Sequence, residues 1–189
     1  MKNEIRKKLL LIRKNLSFDE VLDKSKIIKN KLFKMNDFKQ ASTILFYVSY
    51  NNEVYTHEMI KEQLTGKKTI VVPIADKKNR SLSLSKLENW DDLTIGAYNI
   101  LEPKKERIKE VNIESIDLII VPSVGFDEKG RRIGHGKGYY DKLLKNSKHA
   151  SSIGLSFECQ IVKRIPTEIF DIPVDKIVTE KRIINCRKV

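Results

Sequence analysis

Hydrophobic positions in the first forty residues recur at helical spacing, and after that they gather into short unbroken runs. Ile5, Leu9 and Ile12 fall at i, i+4 and i+7 with cations on the other faces, which predicts a helix over 2–15. A second helix is expected after Ser17, whose hydroxyl can cap it with Glu20 at the capping-box position. It should run to about Met35 and carry Val21, Ile27, Ile28, Leu32 and Phe33. "STILFYVS" is short, apolar and rich in β-branched and aromatic residues, the pattern of a buried strand. "YTHEMIKEQL" returns to the helical period and stops at Gly66, and "KKTIVVPIA" is the next buried strand. "SLSLSKL" alternates polar and apolar residues, as an edge strand does. "DLIIVPS" is the most apolar strand of the chain, and a glycine-rich segment with a helix from about Gly138 follows it. "SSIGLSF", "DKIVTE" and "RIINC" complete the set. Strands alternating with helices, several of them apolar on both faces, predict an α/β domain with a largely parallel central sheet.

The chain has 189 residues, a length that suits a single domain over 1–189. No apolar run approaches the ~20 residues of a membrane span. Charge interrupts the basic N-terminus, and no small-residue cleavage site follows it. Two cysteines far apart, Cys159 and Cys186, suit a reducing compartment, so a cytoplasmic protein is expected, with no membrane partner. The formal charge of +12 is the one bulk anomaly. It suits a lysine-rich solvated surface, an enzyme for polyanionic small molecules, or a nucleic-acid binder. The cations are dispersed, and there are no RNP aromatics, zinc spacing or recognition-helix motif, so nucleic acid is not the expected partner.

"GRRIGHGKGYYDKLL", residues 130–144, holds four of the eight glycines. It is not a P-loop, because Lys137 is followed by Gly138 rather than a hydroxyl residue. Nor is it the dinucleotide fingerprint, because the pattern is G-x-G-x-G and lies a dozen residues beyond Val121. The physics beneath those motifs still applies. Alternate glycines let backbone N–H groups converge on an anion, and a helix start adds unpaired N–H groups and a positive dipole end. Arg131, Arg132 and Lys137 add cations, and Asp141 in the first turn can hold a magnesium ion that bridges phosphates. Of Tyr139 and Tyr140, one should face the core and the other the cleft.

"VPSVGFDEKGRRIGHGKGYYDKLL" resembles the signature of the 5-formyltetrahydrofolate cyclo-ligase family. "KNEIRKKLLLIRKNLS", "FYVSYNNEVYTHEMI", "VPI", "YNILEP" and "IPTEIFDIPVDKIVTE" follow in the order that family has. The resemblance implies a three-layer α/β/α domain and an enzyme that uses ATP and Mg2+ to turn 5-formyltetrahydrofolate into 5,10-methenyltetrahydrofolate. It implies ATP contacts at Lys2, Asn3, Glu4, Ile5 and Arg6 and along Arg132, Ile133, Gly134, His135, Gly136, Lys137, Gly138, Tyr139 and Tyr140. Folate contacts are implied at Val48, Glu53 and from His135 to Tyr139, metal ligands at Asp141 and Asp171, and the main catalytic cations at Lys137 and Arg132. Position 135 is His where related chains often carry Tyr or Arg, and Ser123 stands where Gly is common. A polyglutamate tail on the folate is the partner expected for the basic surface, and a monomer is expected.

Taken alone, Glu53 reads as a solvated turn residue, Asp171 as a turn residue before Pro173, and His57 and His149 as surface residues. Asp127 is expected to brace the glycine segment. The competing readings are a basic nucleic-acid-binding module, and an isomerase or CoA-transferase-like enzyme built on a similar layered sheet.

Overall fold

A computed structural model describes residues 2–186 of the chain. The first helix, α1 (Lys2–Lys14), is followed by α2 (Phe18–Lys34) and α3 (Asn36–Gln40). Strand β1 (Thr43–Leu45), helix α4 (His57–Leu64) and strands β2 (Thr69–Asp76) and β3 (Ser81–Leu87) come next. A small hairpin of β4 (Leu93–Ile95) and β5 (Leu101–Pro103) leads to β6 (Leu118–Val121), β7 (Gly125–Asp127) and β8 (Arg132–Ile133). Helix α5 (Tyr139–Asn146) and strands β9 (Ser151–Leu155), β10 (Ile161–Val162), β11 (Lys176–Val178) and β12 (Ile183–Asn185) finish the fold.

The central sheet has seven strands in the order β12-β11-β9-β6-β1-β2-β3. The five inner strands are mutually parallel, and the two edge strands run antiparallel to their neighbours. The apolar runs are apolar because consecutive residues point into two different cores. Ile44, Ile70, Val72, Leu118, Ile120, Ile153 and Val178 face one of them. Leu45, Val71, Ile119, Val121 and Ile177 face the other. The first core is closed by Val21, Ile28 and Leu32 of α2, Phe38 of α3 and Met59 and Ile60 of α4. The second is closed by Leu143 and Leu144 of α5 together with Phe126 of β7. The layering is therefore helix, sheet, helix, except that the second outer layer is one short helix reinforced by the small sheet β10-β7-β8. That small sheet carries α1, through Leu9, Val124, Ile133 and Ile165.

The capping box of α2 forms as the sequence predicts. Glu20 N–H donates to Ser17 Oγ at 3.2 Å, and Ser17 N–H donates to Glu20 Oε2 at 2.9 Å. Several expectations need correction. Ile27 is solvent-exposed, because it lies about 100° around the helix from the stripe of Val21, Ile28 and Leu32. Only Thr43–Leu45 of "STILFYVS" is in the ladder, although residues 46–49 remain buried. His57 is half-buried rather than superficial, packed between Tyr55 at 4.5 Å and Trp90 at 4.9 Å. Burial holds its pKa below the ordinary imidazole value. The two small sheets and α3 are too short for any periodicity to mark them.

Candidate functional site

In open parallel sheets, ligands sit beyond the carboxyl ends of the strands, where the strand order reverses. Here β2 lies on one side of β1, while β6, β9 and β11 proceed on the other, so the reversal falls between β1 and β6. A cleft of about 910 Å³ opens there, lined by Tyr47, Val48, Tyr50 and Glu53 beyond β1 and by Pro122 and Ser123 beyond β6. Its mouth is shared by α1, the glycine segment, the β4–β5 turn and the 168–171 loop.

The glycines divide into two classes. A Cβ at Gly125 would stand 2.4 Å from Leu9 Cδ1, at Gly130 2.3 Å from Val174 O, and at Gly154 2.4 Å from Phe126 Cζ. Those three are glycine because protein occupies the space. Among the described residues, a Cβ at Gly134 or Gly138 would meet nothing within 4 Å, and at Gly136 the nearest atom is Arg6 Nη2 at 3.7 Å. The space beside these three is the cleft. Gly136 and Gly138 also take positive φ, 84° and 71°, which L side chains rarely adopt. Among the described residues, no partner receives a hydrogen bond from the backbone N–H groups of His135, Gly136, Lys137 or Gly138. Gly138 is the N-cap of α5, which carries no side-chain cap. Unpaired amides, open space and a helix start coincide on one wall, the arrangement of an anion cradle.

Cations surround that wall in a held geometry. Arg6 Nε donates to Gly134 O at 2.8 Å, and its guanidinium also reaches Asn3 Oδ1. Arg132 is buried; its Nη2 donates to Asp141 Oδ1 at 2.5 Å and its Nη1 to Ile172 O. Burial lowers the Arg132 pKa, and the charges of Asp141 and Asp171 oppose that shift. Lys2 Nζ lies 2.7 Å from Asp171 Oδ2, and Glu168 N–H donates to the same oxygen at 2.8 Å. The two carboxylates therefore share one wall and are each balanced by a cation. Lys137 is exposed, 5.8 Å from the ring of Tyr98. The Tyr98 and Tyr139 hydroxyls meet at 3.0 Å, and this contact helps push the Tyr139 pKa up to about 12.

The opposite end of the cleft is built on the Tyr50–Glu53 turn. Asn51 and Asn52 both take positive φ, 47° and 56°, a left-handed pair that asparagine tolerates. Asn52 Nδ2 donates to the carbonyls of Arg13 at 3.3 Å and Leu16 at 2.9 Å, tying the turn to the end of α1. Glu53 is only 6% exposed, its Oε1 3.6 Å from Arg13 Nη1 and its Oε2 accepting from Tyr50 N–H at 3.2 Å. This is a buried, oriented carboxylate, in contrast to the solvated one that its turn context suggests. Tyr140 turns inward against both cores, and its hydroxyl is buried with no hydrogen-bond partner among the described residues. Burial, with the charge of Glu53, pushes its pKa far above the ordinary phenol range.

The cleft therefore gathers Lys2, Asn3, Arg6, Val48, Glu53, all of Arg132 to Asp141, and Asp171. Glu4 and Ile5 do not line it. On a helix, positions 2, 3 and 6 share a flank, while Ile5 packs on the small sheet and Glu4 is exposed. Asp127 braces the segment as expected, accepting from Lys129 and Arg131 N–H groups and, at 2.9 Å, from Ile165 N–H. Arg13, Tyr50, Tyr98 and Phe170 are site residues that sequence reasoning passed over. Only Arg13 left a signal, as a charge four residues after Leu9 on the buried stripe of α1.

A profile of the 5-formyltetrahydrofolate cyclo-ligase family matches residues 1–180. The 5-formyltetrahydrofolate cyclo-ligase of Haemophilus influenzae is 29% identical over 92% of this chain and 94% of its own. A probable 5-formyltetrahydrofolate cyclo-ligase of Schizosaccharomyces pombe is 30% identical over 88% of this chain and 89% of its own. Among solved structures, the 5,10-methenyltetrahydrofolate synthetase of Aquifex aeolicus superposes with a TM-score of 0.87 at 36% identity, covering 100% of this chain and 94% of that one.

Proposed function

The chain belongs to the 5-formyltetrahydrofolate cyclo-ligase family, and from that premise we propose that it converts 5-formyltetrahydrofolate into 5,10-methenyltetrahydrofolate, driven by cleavage of ATP to ADP and phosphate. The observation that supports ATP as co-substrate is the wall of unpaired amides at 135–138, with open space beside Gly134, Gly136 and Gly138 and with Lys2, Arg6, Arg132 and Lys137 around it.

A formamide carbon is a poor electrophile, and its oxygen is a poor leaving group. Moving the γ-phosphoryl group onto the formyl oxygen breaks the β–γ P–O bond, releases ADP and leaves an iminium phosphate. N10 then attacks the formyl carbon and loses its proton, and the C–O bond breaks to expel phosphate. Phosphoryl transfer chiefly requires alignment and charge neutralisation. In this reading the 135–138 amides, Lys137 and Arg132 stabilise the transferring group, and Lys2 and Arg6 hold the rest of the triphosphate. Glu53, already desolvated and fixed by Arg13 and Tyr50, accepts hydrogen bonds from the pterin. A buried hydroxyl without a partner costs ~1–3 kcal/mol, and substrate polar groups at the Val48–Glu53 end would relieve that cost at Tyr140.

Magnesium usually takes one or two carboxylates and completes its shell with phosphates and water. Asp141 and Asp171 fit that mode. They line one wall, and among the described residues no cluster of three acidic, His or Cys ligands competes for a metal. Asp141 and Asp171 would hold the ion, which would supply charge neutralisation at the phosphates. The whole chain acts as one domain and as a cytoplasmic monomer in this reading, with its basic exterior drawing in a polyglutamate tail.

The test is direct. Protein, ATP, magnesium and 5-formyltetrahydrofolate are mixed and methenyl absorbance is followed. Product that requires ATP is expected, whereas ATP-independent turnover would favour an isomerase or transferase. No product from folded protein refutes the proposal.

A further inference from the structure

The glycine wall and the Glu53 turn are different parts of the chain, and the His135 side chain spans the gap between them. His135 Nε2 lies 3.2 Å from Tyr50 Oη and 3.9 Å from Glu53 Oε1, with the two rings 5.7 Å apart. The two ends of this contact differ in rigidity. Tyr50 leaves a turn locked by two left-handed asparagines, by Asn52 on the end of α1, and by the Glu53 carboxylate accepting from the Tyr50 backbone N–H. His135 sits in a five-residue stretch, 134–138, in which three residues are glycine and the amides of 135–138 are unbonded. Among the described residues, Arg6 on Gly134 O and the contact of Lys137 with Tyr98 are further side-chain stakes on that stretch.

We propose that Tyr50 is a positioning residue: through His135 it clasps the phosphate-binding wall to the folate-binding turn, so that filling either half-site orders the other. The inference rests on the function proposed above. Holding a glycine-rich backbone in one conformation opposes its entropy, which is large for glycine. A ligand that buries the Tyr50–Glu53 turn shields the clasp from water and stiffens the wall. A triphosphate bound on that wall in turn presents His135 to Tyr50 and Glu53. Two ligands that draw on the same ordering bind with positive coupling.

The experiment measures equilibrium binding of a non-hydrolysable ATP analogue with magnesium, with and without saturating 5-formyltetrahydrofolate, in the wild type, Tyr50→Phe, His135→Ala and the double variant. Wild type should bind the analogue more tightly when folate is present. Tyr50→Phe, which removes only the hydroxyl, should lower that enhancement by roughly three- to tenfold, the range of one hydrogen bond. Its melting temperature should stay near that of the wild type, and the readout is the ratio of analogue affinities with and without folate, which a merely structural loss would leave unchanged. The double variant should lose no more coupling than the worse single variant, because both remove the same Tyr50–His135 contact. An undiminished enhancement in Tyr50→Phe, or losses that add in the double variant, overturns the clasp. If neither ligand binds the wild type, the cyclo-ligase reading itself has failed, whereas two ligands that bind independently sink only the clasp.

Discussion

Gly134→Ala separates the two reasons a glycine can be required. At Gly134 the φ angle is not positive, and the new methyl group would meet nothing within 4 Å. Neither strain nor a clash opposes the substitution in the free protein, and alanine restricts the unfolded chain. Folding stability should therefore rise by ~0.4–1 kcal/mol. For a domain of this size that is a melting-temperature gain of roughly 1–4 °C. Turnover should move the other way. The methyl group would project into the space assigned to the triphosphate, and a displacement of ~1 Å at the reacting phosphorus can cost on the order of 10²-fold in rate. Thermal melts and methenyl-absorbance kinetics at varied ATP, run on the same preparation, give both numbers. Gly130→Ala is the counter-example, because its φ is 78° and its Cβ would press on Val174 O at 2.3 Å, so its damage should appear as lost stability. Wild-type kcat and KM for ATP in Gly134→Ala would show that the wall does not receive phosphate. A melting temperature lowered by many degrees would show that this glycine serves the fold after all.

Other consequences are as direct. Arg132→Lys keeps the charge but cannot reach Asp141 and Ile172 O together, so turnover should fall ~10²-fold as for a lost preorganised donor; unchanged kcat would remove Arg132 from the chemistry. Ser17→Ala removes the cap of α2 and should lower stability by about 1 kcal/mol with kcat untouched, read from a denaturant midpoint. At pH 8 a thiol reagent should label exposed Cys159 well before Cys186, whose pKa burial and nearby Asp127 and Asp175 raise to about 12. The raised value disfavours the thiolate, so the contribution of the Cys186 thiol to stability is whole below pH 9 and fades as pH rises toward 12. Equal labelling rates would contradict that burial.

Much of the fold was legible because burial leaves periodicity. The α2 capping box, the edge character of β3 and the doubly buried inner strands all follow from local pattern. Elements of two or three residues, such as β7, β8 and β10, are shorter than any period and went unread. At the site, the glycine segment was legible because glycine is costly wherever it is not needed. Tyr50 and Tyr98 were not, because a tyrosine on a turn has the same sequence signature whether it meets solvent or a cleft.

Residue pattern alone therefore determined that this chain forms a largely parallel α/β sheet and carries a glycine-rich, cationic segment ahead of a helix, since both are local consequences of side-chain size and spacing. Only the tertiary structure decided which glycines yield to protein and which to open space, that Glu53 is buried against Arg13, and that His135 reaches Tyr50 across 85 residues of chain. Those facts depend on how distant segments pack at the reversal between β1 and β6, and no local window of sequence contains that information.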